Sequence, residues 1–479
     1  MSYIKGENRN QMTVEPLCLD DYIGEDSVCR VIDAYVCGLN MSKLGFKYAE
    51  IKINGRPSFD PAAMLKLYIY GYMNRVRSSR RLEAETQRNL EVMWLLEKLT
   101  PDDKTVCNFR KDNSAALKKA FREFSLWCNQ AGLYGKELVA VDGTKIRANT
   151  NRHNIHTKKG TEKQLVETNL KIEKYMHELE KNDNSEIDET KPSPETVRKI
   201  LKHLNEKKEK LADNLKAIEE NGGKEISTVD PDAHLMHTNG DGRNLDACYN
   251  VQTVADSKYK LIVDFEVTTC PDDKGALPKM TESAKEIMGV DEISAVGDKG
   301  YYDGEDIAEC EKNGTTAYIP KVADHAHAPD RNYDKSNFKY DTENDCYICQ
   351  ENAILTYTKT RTDGNYEYSN ITACKNCQNR VKCTIGKYRT VQRTPNQDAL
   401  DNNNTRMNTT AGHEMFRERK KIIEHPFGTI KAVWGFRQFL CRTKERTTAE
   451  QSLAFLAYNL RRVINIFKEN GMSLREAMA

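Results

Sequence analysis

The stretch Leu138-Val139-Ala140-Val141-Asp142-Gly143-Thr144-Lys145-Ile146-Arg147 sets four apolar residues directly before an Asp-Gly pair. A short apolar run bounded by a turn signal reads as a buried strand. Its carboxylate is left at the strand's end. The pattern returns in Ile293-Ser294-Ala295-Val296-Gly297-Asp298-Lys299-Gly300-Tyr301, where Asp298 follows a second run. Further strand candidates are Tyr249 to Thr253, Leu261 to Val267 and Ala317 to Ile319. Helical patterns over Leu277 to Met288 and Ile307 to Lys312 separate some of them. Strands mixed with helices predict an α/β fold with a mixed sheet.

Upstream of this core, residues 14 to 130 read as helical. Apolar residues recur at Met64, Leu65, Leu67, Tyr68 and Tyr72, and Pro61 suits a helix start. Arg75, Arg77, Arg80 and Arg81 then crowd into a short segment, and a new helical pattern runs through Leu90, Val92, Leu95 and Leu96. Two readings stand: a helix-turn-helix DNA reader, or a solvated basic loop in a helical bundle. Thr100-Pro101-Asp102-Asp103-Lys104-Thr105 reads as a helix entry with capping side chains.

Between the strands, Leu165, Asn169, Ile172, Met176 and Leu179 alternate spacings of four and three. A polar break with Pro192 and Pro194 follows. Val197, Leu201, Leu204, Lys208, Leu211, Leu215 and Ile218 resume the rhythm until Gly222-Gly223. The simplest reading is an antiparallel helical hairpin inserted in a loop; the alternative is a zipper to a partner chain.

With 479 residues, the chain is long enough for two to four domains of roughly 100–200 residues. The formal charge is only +1, which excludes a polybasic tail or an acidic solvating chain. The balance hides segregation. Lys224 to Cys310 holds 19 acidic and 8 basic side chains, a net of −11, whereas Phe416 to Arg462 holds 11 basic and 4 acidic, a net of +7. The basic stretch is a candidate phosphate-binding face, and the acidic one could hold divalent metal. No apolar run approaches the roughly 18 residues of a membrane span. The polar N-terminus, Met1 to Asn10, lacks the apolar core of a signal peptide, so a cytoplasmic location is expected.

Nine of the fourteen cysteines are scattered and read as reduced, mostly buried thiols. The other five cluster. Cys346-x2-Cys349 and Cys374-x2-Cys377 form two knuckles with the spacing of a tetrahedral Zn²⁺ site, with Cys383 as a spare or competing ligand. Strand-like Ala353 to Tyr357 and Tyr366 to Tyr368, joined by Thr362-Asp363-Gly364, suggest a zinc-ribbon hairpin. A reduced thiol cluster and oxidised pairs are the alternatives.

Asp142, Asp298 and Glu424 stand apart from the other acids. Glu424 lies in Lys420-Lys421-Ile422-Ile423-Glu424-His425-Pro426-Phe427-Gly428-Thr429-Ile430-Lys431, inside the basic region. Hard carboxylate oxygens suit Mg²⁺, and two such ions can activate one phosphodiester. Spacing alone would leave capping aspartates as the better reading.

The strings Val141 to Asn149, Tyr249 to Thr253, Gly297 to Tyr301 and Glu424 to Lys431 resemble bacterial insertion-sequence transposases of the DDE class. Phe59-Asp60-Pro61 to Leu96 is similar to their N-terminal helical domain. Leu456 to Arg462 resembles the helix that closes their catalytic domain. The resemblance covers most of the chain. It implies an RNase H-like catalytic fold in which Asp142, Asp298 and Glu424 bind Mg²⁺ or Mn²⁺. It further implies supporting roles for Lys431 and Arg419 from the family's Tyr-Arg-Glu-Lys signature, with Phe416 where the tyrosine is expected. Similar cysteine patterns occur in related transposases, which favours zinc.

The expected organisation is a helical DNA-binding domain over 1–135 and the first catalytic part over 136–335, with the hairpin at 160–223. A Cys-rich insertion over 336–395 and a C-terminal catalytic part over 396–479 follow. Arg147 and Lys299 join the four clustered arginines as DNA-contact candidates. Trp434 and Phe436 could stack on a base, although core packing is the better reading. The implied function is binding of an element's terminal inverted repeats, metal-dependent strand cleavage and strand transfer, by a homodimer near the nucleoid. The alternatives are a domesticated, non-catalytic DNA-binding relative and a stand-alone nuclease of the same fold.

Overall fold

The computed structural model describes residues 18–50, 57–182, 193–220, 222–238, 244–322 and 328–471. Pro192 and the polar N-terminus lie outside the described residues. The chain divides into two compact units, each drawn from separate stretches: Met1–Phe124, Arg147–Ala233 and Thr429–Ala479 form one, and Ser125–Ile146 and His234–Gly428 the other.

In chain order the strands are β1 (Leu138–Arg147), β2 (Ile155–Thr157), β3 (Glu225–Ser227), β4 (His234–His237), β5 (Leu245–Asp256), β6 (Ile262–Thr268), β7 (Ile293–Val296) and β8 (Thr315–Tyr318). A second group follows: β9 (Lys339–Asp341), β10 (Cys346–Ile348), β11 (Ile354–Thr360), β12 (Tyr366–Ser369) and β13 (Thr390–Arg393).

The second unit is built on the expected mixed sheet. Its order is β4-β5-β1-β7-β8, with β6 also paired to β5. β7 runs parallel to both β1 and β8, whereas β5 and β6 are antiparallel. Leu138 to Val141 are all buried, as a central strand covered on both faces requires. The helix Thr410–Phe427 covers part of that sheet. Its Ile422 and Ile423 are fully buried against Leu138, Ala140, Ala255 and Val296.

The Cys-rich stretch makes a separate antiparallel sheet of order β13-β12-β11-β10-β9. The expected hairpin is its β11–β12 pair, with Gly364 in the left-handed turn. Phe338, Tyr347, Leu355, Tyr368, Cys383 and Val391 form its small apolar layer.

In the first unit, Asp60 caps the helix Pro61–Met73 by accepting from the Ala62 amide at 2.8 Å. Asp102 caps Asp103–Asp112 through the Thr105 amide at 2.7 Å, as the sequence predicts. The basic turn joins Pro61–Met73 to Ser79–Arg88. A Cβ on Gly71 would lie 2.4 Å from Leu82 Cδ2, so glycine lets these two helices close on one another. The C-terminal helix Lys444–Glu469 packs on Pro61–Met73 and Asp103–Asp112. It therefore sits with the N-terminal helices, a grouping that a linear division of the chain does not express.

The helices Lys158–Asn182 and Pro194–Glu220 pack on each other, and β2 and β3 pair antiparallel at their base. Gly223 ends the second helix, its amide donating to the Ile218 carbonyl at 2.8 Å with φ +79°. One expectation is corrected. Met176 is exposed, and the covered stripe runs through Thr161, Leu165, Thr168, Ile172, Tyr175 and Leu179. The rhythm of four and three is real, but it reaches Tyr175 on the inner side.

Among the described residues no helix is long and apolar enough to cross a membrane. All fourteen cysteines are free thiols. Of the nine scattered ones, only Cys29, Cys128, Cys248 and Cys310 are buried, fewer than expected.

Candidate active site

The register of the parallel pair builds the site. Leu138 lies opposite Ser294, Val139 opposite Ala295 and Ala140 opposite Val296. Asp142 and Asp298 each fall two residues beyond the last paired position. The turn expected at Asp142-Gly143 is not formed, because β1 runs on to Arg147. Asp142 thus lies within β1 and Asp298 just past the end of β7, and both carboxylates follow the last matched residues of the parallel pair.

Asp298 accepts from the Gly300 amide at 2.7 Å and so starts the turn Lys299–Tyr301. Asp142 accepts from Arg419 Nη1 at 3.0 Å, from the helix Thr410–Phe427. Phe416, where the family signature has tyrosine, lies one turn earlier, with its ring 5.8 Å from the Arg419 guanidinium carbon. Glu424 is exposed on this helix, next to the buried Ile422 and Ile423. Three elements of one unit thus carry the three acids.

A fourth carboxylate escaped the sequence reading. Asp273 Oδ1 accepts from Asn250 Nδ2 at 2.9 Å and from Gln252 Nε2 at 2.6 Å, with Lys145 Nζ at 3.6 Å. The buried Tyr301 hydroxyl donates in turn to Gln252 Oε1. A Cβ on Gly143 would stand 2.6 Å from Asp273 Oδ1, and one on Gly300 2.9 Å from Asp273 Oδ2 and from Asp298 Oδ1. Two glycines, one near each of Asp142 and Asp298, thus let the acids crowd together. The signal was present in β5: Asn250 and Gln252 alternate on one face of a strand that is otherwise buried and largely apolar.

Crowding has an electrostatic cost. Burial pushes the Asp142 carboxyl up to about 6; Arg419 pulls it down, while Asp298 and Asp273 raise it further. A folded-state value above the unfolded one gives stability that is present at low pH and lost as pH rises through about 6. In chelator, the melting temperature should therefore fall between about pH 4 and pH 6. The Asp142 share is on the order of 3 kcal/mol at most. Asp142→Asn should remove that share; an unchanged pH dependence in the variant would refute the assignment.

The donor set suits a hard divalent cation. It consists of carboxylate oxygens that repel one another, plus Asn250 Oδ1, which is buried without a hydrogen-bond partner. Among the described residues, however, no three His, Cys, Asp or Glu side chains stand close enough to share one ion. Arg419 is the present counter-charge of Asp142.

Other candidates fall elsewhere. Lys431 does not continue the helix of Glu424. Pro426 sits in that helix's last turn, and residues Gly428–Val433 form a π-helical segment. Glu424 and Lys431 therefore do not share one α-helical face. Arg75, Arg80 and Arg81 are exposed; Arg80 pairs with Asp103 at 3.4 Å. Arg77 is held internally: it lies 3.5 Å from the fully buried Glu450, donates to the Gln438 carbonyl and stacks 4.5 Å over Phe436. Phe436 is in the core, as expected, and Trp434 is half-buried against Tyr458. Lys299 and Arg147 are exposed, and the Arg147 backbone pairs with Arg437 and Phe439.

Two family models match the chain. A Transposase domain (DUF772) matches residues 17–112, and a Transposase DDE domain matches residues 222–460. The chain belongs to the DDE transposases. The first match spans the N-terminal helices of the transposase. The second contains Asp298 and Glu424, while Asp142 lies between the two and rests on strand register. No curated protein and no solved structure matches the transposase.

Proposed function

We propose that this transposase binds the terminal inverted repeats of an insertion sequence, cleaves the ends and joins them to target DNA. The observation that carries this reading is the matched position of Asp142 and Asp298, each two residues past the last pair of the parallel strands β1 and β7. The parallel β1, β7 and β8 beside an antiparallel β5–β6 pair support an RNase H-like catalytic domain.

Asp142, Asp298 and Glu424 would hold Mg²⁺, or Mn²⁺ in its place. Such ions, when bound, supply Lewis-acid activation of an attacking oxygen and neutralise charge on the phosphodiester. The protein's own groups do the positioning. Asp273, fixed by Asn250, Gln252 and Lys145, approaches the glycines beside Asp142 and Asp298 closely enough that neither could carry a side chain. Arg419 balances the charge of Asp142 and would share that role with a bound divalent ion. Lys431, Lys299 and Arg147 supply cations for DNA phosphates. Arg75, Arg80 and Arg81 supply exposed charge on the helical domain for end binding. Two protomers pair two ends, which implies a homodimer in the active complex. The working location is the cytoplasm, at the nucleoid.

The test uses the DNA flanking the reading frame. Labelled terminal fragments, target plasmid and Mg²⁺ should yield cut ends and joined products with purified protein. Cut ends without joining would assign a nuclease. Binding without cutting would assign a non-catalytic relative.

A further inference from the structure

We propose that the Cys-rich sheet carries a DNA-contacting surface of its own, a lysine-bearing loop that holds duplex DNA by its phosphates and sets Ile385 against the minor groove. Charge in this part of the chain is divided. Lys339 to Ser369, which spans β9 to β12, holds 6 acidic and 3 basic side chains, a net of −3. Asn370 to Gln397 holds Lys375, Arg380, Lys382, Lys387, Arg389 and Arg393 and no acid, a net of +6. A run of cations without counter-charge is the electrostatic footprint of a phosphate-binding surface.

The fold separates the arginines from the lysines. Arg380 and Arg389 line a cavity of about 360 Å³, together with Cys349, Cys374, Cys377 and Cys383 but not Cys346. There they fasten the loop from inside. Arg380 Nη1 donates to the Lys387 carbonyl at 3.3 Å, and Arg389 Nη1 to the Cys383 carbonyl at 3.4 Å, with its guanidinium over the Phe338 ring. Arg393 is spent on Asp398 and Asp401. Lys375, Lys382 and Lys387 are exposed and line no part of that cavity. Among the described residues none of the three forms an ion pair with a carboxylate. Glu351 is occupied instead by the Tyr333 hydroxyl and Asn379, which hold its carboxyl low, with Lys382 a lesser influence.

An independent observation lies at the tip of the loop. Ile385 is 98% exposed and Val381 68%. The tip is a built turn just past the short helix Arg380–Cys383, with the Gly386 amide donating to Thr384 Oγ1 at 3.1 Å. Ile385 is thus held bare between Lys382 and Lys387. Apolar side chains in that setting press into a minor groove while the cations beside them hold the flanking phosphates. A loop fastened in advance also loses little freedom on binding. Phosphates and groove walls are common to every duplex, so the contact is sequence-independent. The inference rests on the DNA-binding reading above and places a contact on the unit that carries Asp142, Asp298 and Glu424.

The full chain is compared with the triple variant Lys375→Gln, Lys382→Gln, Lys387→Gln and, separately, with Ile385→Ser, all at exposed positions that folding tolerates. Binding to a terminal fragment and to an unrelated duplex is titrated against salt. The triple variant should lose on the order of 10²-fold in affinity for both duplexes at about 0.1 M salt, with a slope of log K against log salt shallower by about 2–3. Ile385→Ser should weaken binding roughly tenfold at an unchanged slope, the effect of lost apolar contact. Native affinity and slope in the triple variant, while the native chain binds DNA, would overturn the proposal and leave the DNA-binding reading standing. A native chain that binds neither duplex would defeat both. Lost self-association in the variants with DNA binding intact would assign the loop to a second copy of the chain and refute the DNA contact.

Discussion

Asp142→Ala should lower end cleavage by on the order of 10³-fold or more, because it removes a charge aimed at the reacting phosphodiester. End binding should be nearly unchanged. Asp142 lies in β1 just past its paired stretch with β7, and Asp298 and Asp273 raise its carboxyl by like-charge repulsion. Nature rarely retains such repulsion without a cation to relieve it. The side chain is not a structural keystone: its carboxylate makes one ion pair, with Arg419. Asp142→Asn keeps shape and removes charge, so it separates chemistry from folding. It should be as inactive as the alanine variant and remain folded. Cleavage at the native rate by either variant would show that the site is wrong. On the proposed reading the same carboxylate serves both steps, so joining assays on pre-cut ends should fail in parallel.

Glu450→Ala should destabilise the first unit by about 3–5 kcal/mol, the usual result of stranding buried charge. Glu450 is fully buried in the helix Lys444–Glu469. Its Oε2 accepts from the amides of Leu440 and Cys441 at 2.8 and 3.0 Å, and Arg77 approaches Oε1 at 3.5 Å. Removing the carboxylate leaves two amides and a largely covered guanidinium without their acceptor. Glu450→Gln restores an acceptor but no charge and should lose less. Trp434 packs edge-on against Tyr458 of the same helix, so its fluorescence reports the transition in urea. A native midpoint in Glu450→Ala would sink this account. The same contacts predict that Arg77→Ala weakens DNA binding through stability, not through the salt slope that exposed phosphate contacts produce.

These two sites mark how far the chain could be read. Asp142 and Asp298 each follow an apolar run, Asp142 before Gly143 and Asp298 before Lys299-Gly300, but it was resemblance that singled them out as candidates. Glu424 was legible only through resemblance, since exposure on an amphipathic helix carries no distinguishing pattern. Asp273 was not legible. Its importance comes from two glycine backbones and two amides that lie in other segments, and only folding gathers them. Arg77 was misleading for the opposite reason. In sequence it belongs with Arg75, Arg80 and Arg81, yet its guanidinium is turned toward Glu450, far along the chain.

The sequence by itself determined the central strands, the helix start at Pro61, the cap at Asp102 and the paired helices. These follow from local rules: periodicity, capping and turn residues act within a few positions. The tertiary structure alone decided which carboxylates share a pocket, which cysteines share a cavity and which arginine is spent in the core. The helix Lys444–Glu469 belongs with the N-terminal helices for the same reason. Proximity between distant segments is set by packing, and burial and charge balance act on neighbours in space, whatever their order along the chain.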